Sequence, residues 1–70
     1  MFMISYFKHE TGNYFVTLQV ISQTIVLLPG FFVRVMQLQH NASMGCCEVD
    51  IHTLVELGFV VPEHMLLKTV

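Results

Sequence analysis

Charged side chains are scarce in this chain of 70 residues. Only 11% of the residues are Asp, Glu, Lys or Arg, less than half of the roughly 25% found in ordinary domains. The permanent cations are Lys8, Arg34 and Lys68, which are spread along the chain. Proteins that bind nucleic acid present several Lys or Arg side chains on one surface. The composition therefore predicts a protein that does not bind nucleic acid.

Cysteine is also scarce, because Cys46 and Cys47 are the only two. A small secreted domain usually carries roughly four or more cysteines, paired as disulfides. The early cation Lys8 is not followed by a short apolar segment and a small-residue cleavage site, so the pattern of a signal peptide is missing. We therefore expect a cytoplasmic protein, in which the Asn41-Ala42-Ser43 glycosylation sequon is a chance match.

Features of an enzyme are few. The four glycines are far apart, so no glycine-rich phosphate-binding loop is present. Ser43, Cys46, Asp50 and His52 supply nucleophilic and basic groups within ten residues of one another, but hydrolytic catalysis also needs a cleft that excludes water. A chain of this length seldom builds such a cleft. We therefore predict a protein without enzymatic activity and without a cofactor.

Hydrophobic residues, by contrast, are abundant. They make up 54% of the chain, whereas ordinary domains contain about 45–50% even when glycine is counted. A domain of this size buries only about two thirds of the surface that its unfolded chain exposes. The surplus of apolar side chains predicts a contact with a second copy, with a larger protein or with a membrane, because large apolar patches are rarely left in water.

The membrane alternative depends on one uncharged run. Residues Thr11 to Val33 carry no charged side chain, and a helix of this length would cross a bilayer. The run also contains polar amides and the Pro29-Gly30 pair, which interrupts a helix. A single-span membrane miniprotein is therefore an alternative rather than the favoured interpretation.

Alternating hydrophobicity predicts strands in the first half of the chain. In Tyr14–Ile21, apolar residues at every second position alternate with Thr17 and Gln19, as in a half-buried strand. The preceding Glu10–Asn13 segment is typical of a turn, so Phe2–Phe7 and Tyr14–Ile21 are predicted to form a hairpin. We also expect Phe2–Phe7 to be an unpaired edge strand that pairs with a second copy.

Further strands are predicted on either side of Pro29-Gly30. Leu28–Phe31 fits a type II turn between the strands Thr24–Leu28 and Phe31–Leu38. Gly45 is expected in the left-handed conformation before a fifth strand, Cys46–Thr53. In that strand the even-numbered residues from 46 to 52 would share a solvent-exposed face.

The C-terminal segment contains at least one helix. Residues 53–57, followed by Gly58, fit either a helical turn with a glycine cap or a strand with a glycine bulge. Pro62–Lys68 is predicted to be a short helix. We therefore predict one domain over residues 1–70 with an all-β fold, a small antiparallel sheet or barrel of about five short strands with a short C-terminal helix. An α+β fold is the alternative.

One group of polar side chains is a candidate metal site. On the fifth strand, Asp50 and His52 would project from the same face. With Cys46 or His40 as a third ligand, they would suit zinc. A small zinc-binding domain is therefore an alternative, although a solvated strand face is favoured.

The favoured function is association. We predict a homodimer, or an accessory or regulatory subunit that binds a larger protein through apolar surface. Interfaces are enriched in aromatic residues and methionine. The predicted contact residues are Phe2, Tyr6, Phe31, Phe32 and Met44.

Overall fold

The computed structural model describes residues 1–38 and 43–68 of the chain, with side chains as far as Met65. Within these ranges the strands are β1 (Phe2–Lys8), β2 (Tyr14–Leu18), β3 (Gln23–Leu27) and β4 (Met44–Val49). The helices are α1 (Pro29–Met36), α2 (Ile51–Leu57) and α3 (Glu63–Lys68). A 3₁₀ turn, Gln19–Ile21, connects β2 to β3.

The four strands form one open antiparallel sheet in the order β3-β2-β1-β4. Because β1 pairs with β2 on one side and with β4 on the other, it is an interior strand. The expectation that Phe2–Phe7 forms an unpaired edge is therefore wrong. The predicted small antiparallel sheet is confirmed, with four strands in the described residues instead of about five. The barrel form of that prediction is wrong, since the sheet stays open. Helices lie against one face, so the fold is α+β or mostly β.

The predicted β1–β2 hairpin is confirmed. Its turn is closed by the backbone N–H of His9, which donates to the Asn13 carbonyl at 2.8 Å. Gly12 has a φ of 95°, a left-handed conformation that glycine adopts without steric cost. The second strand is shorter than predicted, because the chain leaves the sheet after Leu18 and enters the 3₁₀ turn.

The hydrophobic core lies between the sheet and the helices. Alternate strand residues point to this side, where the buried helical-side members of the core are Phe32, Leu54, Leu57 and Phe59. The completely buried members are Ile4, Tyr14, Val16, Leu18, Phe32 and Leu54. The Tyr14 and Phe32 rings pack at a centroid distance of 4.7 Å and hold α1 over the hairpin.

A helix replaces the strand predicted at Phe31–Leu38. Leu28 is extended, with φ −63° and ψ 141°, and Pro29 takes the first helical position, where its missing N–H costs nothing. The type II turn is therefore absent. The helix ends at Gln37 in the left-handed conformation, with its backbone N–H donated to the Val33 carbonyl.

A second helix replaces the end of the predicted fifth strand. Strand β4 stops at Val49, and the Asp50 side chain accepts a hydrogen bond from the Thr53 backbone N–H at 2.8 Å, which caps α2. At the other end Gly58 has a φ of 107°. Its N–H bonds to the Val55 carbonyl while the next N–H bonds to Leu54, as in a Schellman motif. The helical alternative for residues 53–58 is confirmed.

The predicted C-terminal helix is confirmed as α3. It begins at Glu63, one residue after Pro62, and the Met65 backbone N–H donates to the Pro62 carbonyl at 3.0 Å. Met65 is buried, so the helix is anchored to the rest of the chain through at least one apolar side chain.

Gly45 lies inside β4 and does not adopt the predicted left-handed conformation. It pairs with Tyr6 on β1. A Cβ atom placed on Gly45 would lie 2.7 Å from the Tyr6 Oη and 2.9 Å from Cζ, closer than real contacts allow. The Tyr6 ring therefore needs glycine at this position, because its own place is fixed by contacts with Tyr14 and Phe32.

We predict that Gly45→Ala destabilises the protein. The added methyl group forces the Tyr6 ring off its packing, and overpacking of this kind costs about 1–3 kcal/mol. The free energy of unfolding from urea titration measures the effect. In a Tyr6→Leu background the same substitution should cost less, because the shorter side chain leaves room for the methyl group.

Gly30→Ala is the matched control. No atom lies within 4 Å of a Cβ placed on Gly30, which occupies the second position of α1. Alanine is a better helix former than glycine by about 0.5–1 kcal/mol, so this variant should be equally stable or more stable. Equal losses in Gly45→Ala and Gly30→Ala would contradict the role given to the Tyr6 contact.

Candidate functional site

The second face of the sheet carries an apolar row that crosses all four strands. The registers place Val26 beside Phe15, Phe15 beside Phe7 and Phe7 beside Met44. We call these four residues the apolar row. The Phe7 and Phe15 rings stack at 5.2 Å with an interplanar angle of 25°. Val26 is 55% exposed, Phe7 46% and Met44 73%, while Phe15 is half-buried, so part of this apolar surface meets water.

A row of small polar side chains runs beside the apolar row. It consists of Thr24, Thr17, Ser5 and Cys46, again one residue from each strand. The Thr17 and Thr24 hydroxyls are hydrogen-bonded at 2.8 Å. The Gln19 side-chain amide donates to the Cys46 sulfur at 3.8 Å. These two rows, together with Met3 and Glu48 beyond them, form what we call the uncovered face.

The uncovered face is nearly free of charge. Among the described strand residues that point to it, Glu48 is the only one of the Asp, Glu, Lys and Arg types. Between the two rows lies a shallow depression of about 380 Å³, bordered by Phe7, Phe15 and Met44 on one side and by Thr17 and Cys46 on the other. The depression is open, so it does not exclude water.

The structure separates the three candidate zinc ligands. Cys46 lies on the uncovered face, Asp50 caps α2 and His52 lies within α2, so they do not share one strand face. In the parts of the chain that the structure describes, no three His, Cys, Asp or Glu side chains form a group that could hold a metal ion. The geometry assumed for the zinc site is therefore wrong. His40 and the first two residues of the sequon, Asn41 and Ala42, lie outside the described residues.

The two cysteines point to opposite faces of β4. Cys46 is exposed and Cys47 is half-buried on the core side. Burial, followed by the charge of a Cys46 thiolate, raises the pKa of the Cys47 thiol. Since thiolates are the reactive form, this shift lowers the reactivity of Cys47. Burial likewise raises the pKa of Tyr6, which lies against the same side of the sheet.

The predicted contact residues separate into three groups. Phe32 is completely buried in the core, so its side chain is not exposed for the predicted contact. Phe2, Tyr6 and Phe31 are half-buried and pack against the core. Met44 lies on the uncovered face.

Sequence reasoning missed the other three members of the apolar row, Phe7, Phe15 and Val26. In β1 both sets of alternate residues contain large apolar side chains, so the pattern does not reveal which set faces the core. The helices decide which face is covered. Because residues 31–38 and 46–53 were interpreted as strands, the sequence did not show that this face is left bare.

The uncharged run from Thr11 to Val33 folds into β2, the 3₁₀ turn, β3 and the first half of α1. None of the helices in the described ranges has the length and hydrophobicity needed to cross a lipid bilayer. Comparisons with known protein families, with curated proteins and with solved structures find no match to this chain.

The cap of α2 predicts a dependence of stability on acid pH. Hydrogen bonds from the Thr53 backbone N–H and side chain hold the pKa of Asp50 below its ordinary value of 3.8. The ionised cap therefore stabilises the fold above pH 3.8, and this contribution is lost as the pH falls through the lower folded-state pKa. Thermal unfolding measured across the acid range should show this loss.

Asp50→Asn and Asp50→Ala separate charge from hydrogen bonding. Asparagine is about as good a helix cap as aspartate, so Asp50→Asn should keep most of the neutral-pH stability while losing part of the pH dependence. Asp50→Ala should lose both. An unchanged pH profile in both variants would contradict the assignment of Asp50 as the cap.

Proposed function

We propose that this protein is a non-enzymatic association module that forms a homodimer through the uncovered face. The observation that supports this proposal is the apolar row, which crosses the whole sheet and is partly exposed to water in the single chain. Burying exposed apolar side chains contributes about 25 cal/mol for each Å² removed from water. The aromatic residues and the methionine in the row are of the types that are enriched at interfaces.

Two copies of the uncovered face are compatible with each other. Antiparallel sheets pack face to face in many proteins, with a separation of about 10 Å filled by side chains of both layers. Because Glu48 is the one acidic residue on the face and lies beyond the polar row, two stacked faces bring few like charges together. On each copy the row of Thr, Ser and Cys has small side chains, which leave space for the larger apolar side chains of the partner.

The size of the face limits the strength of the dimer. Four strands at about 4.8 Å spacing and five residues at about 3.3 Å each give a footprint of roughly 19 by 17 Å. This is small beside interfaces that bury about 800 Å² on each partner. We therefore expect a dimer that dissociates in the micromolar range. If the protein is instead an accessory subunit, it would dock on a larger protein through the same face. A chain that stays monomeric at every concentration would favour this alternative over the homodimer.

A matched pair of valine substitutions tests the face. Val26 on the uncovered face is 55% exposed and Val55 on α2 is 60% exposed. We expect Val26→Lys to shift the monomer–dimer equilibrium toward monomer by at least about tenfold, a change of about 1.4 kcal/mol, whereas Val55→Lys leaves it unchanged. Sedimentation equilibrium measures both, and equal effects would contradict the proposal.

Phe7→Lys distinguishes stacking of faces from pairing of strand edges. Phe7 lies on the interior strand β1, whose backbone is paired on both sides, whereas the free hydrogen-bonding edges belong to β3 and β4. A lysine there disrupts a contact between faces but leaves the edges intact. We expect the variant to be monomeric, with its circular dichroism unchanged. A dimer that survives this substitution would show that edges, and not faces, form the contact.

Cys46 reports on the same face without a change of polarity. In a Cys47→Ala variant Cys46 is the only thiol, and it is exposed in the single chain. We expect its rate of alkylation by iodoacetamide to fall as the protein concentration rises through the dimerisation range. A rate independent of concentration, in a sample that sedimentation shows to be dimeric, would place the contact elsewhere.

A further inference from the structure

A cleft on the helical side of the molecule collects two of the three permanent cations. Lys8 and Tyr14, at the end of the β1–β2 hairpin, form one wall. The other wall consists of Pro29, Gly30, Val33 and Arg34, which lie along one side of α1. We call these six residues the cationic cleft. Its volume of about 350 Å³ is at the lower end of the range of about 300–1,000 Å³ for small-molecule sites.

The cations of the cleft have no acidic partner in the described residues. Neither Lys8 nor Arg34 forms an ion pair there, and no Asp or Glu lines the cleft. Both side chains lie over aromatic rings instead. The Lys8 Nζ is 5.9 Å from the centre of the Tyr14 ring, and the Arg34 guanidinium carbon is 5.8 Å from that of Phe31. In a chain with a net charge of −2, this local concentration of unpaired positive charge favours an anionic ligand.

The walls between the two cations are apolar. The Pro29 ring and the Val33 side chain contribute apolar lining, and Tyr14 lies buried behind it. Gly30 adds open space, since nothing lies within 4 Å of the position of a Cβ atom. A ligand that fills the cleft therefore needs an apolar body as well as a negative charge. A guanidinium group binds carboxylates through two parallel hydrogen bonds, which selects a planar anionic group.

We propose that the cationic cleft binds a small organic carboxylate with an apolar body. Arg34 and Lys8 bind the carboxylate, and the apolar body lies against Pro29 and Val33. The cleft opens on the side of the sheet opposite to the uncovered face. The proposal therefore does not depend on dimerisation and can be tested on monomer and dimer alike.

Titration with benzoate tests the proposal, because benzoate combines an apolar ring with a carboxylate. Two-dimensional amide NMR of the full chain reports binding at each residue. We expect saturable shifts of the Gly30, Val33 and Tyr14 amides with benzoate. Benzamide, which has the same shape without the charge, should bind at least about tenfold more weakly, as expected for loss of a charge-assisted hydrogen bond. Inorganic phosphate, which lacks the apolar body, should also bind more weakly than benzoate.

Three charge-removing variants complete the test. Lys8 and Arg34 are exposed, so Lys8→Gln and Arg34→Gln are expected to fold normally, which an unchanged amide spectrum away from the cleft verifies. Each should weaken benzoate binding about tenfold. Lys68→Gln removes the same charge from α3 and should leave binding unchanged.

Several results would overturn the proposal. Equal affinities for benzoate and benzamide would show that Lys8 and Arg34 do not distinguish a charged ligand from a neutral one. Phosphate binding as strong as benzoate binding would show that the apolar walls do not contribute. A loss of benzoate binding in Lys68→Gln equal to that in Arg34→Gln would assign the effect to net charge alone. The absence of saturable benzoate shifts at the cleft would remove the site.

Discussion

The constraint on which this structure depends is that its sheet has two apolar faces and its helices cover one. In β1 both sets of alternate residues include large apolar side chains, for example Ile4 on the core side and Phe7 on the other. Helices α1 and α2 pack on the side that holds Ile4, Tyr14 and Val16. In a chain of 70 residues no described element is left for the second side. Of the nine large hydrophobic side chains that are exposed in the described residues, Met3, Phe7, Val26 and Met44 lie on this second side, which supports the association proposed above.

The same core contacts also create the cleft. Phe32 packs on Tyr14, and Tyr14 and Phe32 in turn both contact Tyr6, which requires glycine at position 45. This aromatic cluster holds α1 above the hairpin from the middle of the helix. At the end of the hairpin, Lys8 lines the cleft together with Arg34 of α1. The contact between Tyr14 and Phe32 therefore lies beside the cleft that holds the two cations.

Local sequence patterns correctly predicted those elements for which the pattern fits only one kind of structure. The hairpin has a turn signal between two alternating runs, and α3 follows a proline. The missed helices have signals with two meanings. Leu28-Pro29-Gly30-Phe31 fits a type II turn or the first turn of a helix, and the short apolar run after it has no clear period. Asp50 continues the alternation of β4 but is also a helix-capping residue. Because the helices were assigned as strands, the bare face and the cleft beside α1 lay beyond what the sequence alone predicted.

Strand alternation joins the two proposed surfaces at neighbouring residues. Phe7 lies in the middle of the apolar row, and Lys8, the next residue of β1, forms the rim of the cleft on the other side of the sheet. A dimer formed through the uncovered faces leaves the cleft of each copy open to solvent. A ligand in the cleft changes dimerisation only if it binds monomer and dimer with different affinity. The two surfaces lie on opposite sides of β1 and have no described residue in common. We therefore expect ligand binding and dimerisation to be independent of each other.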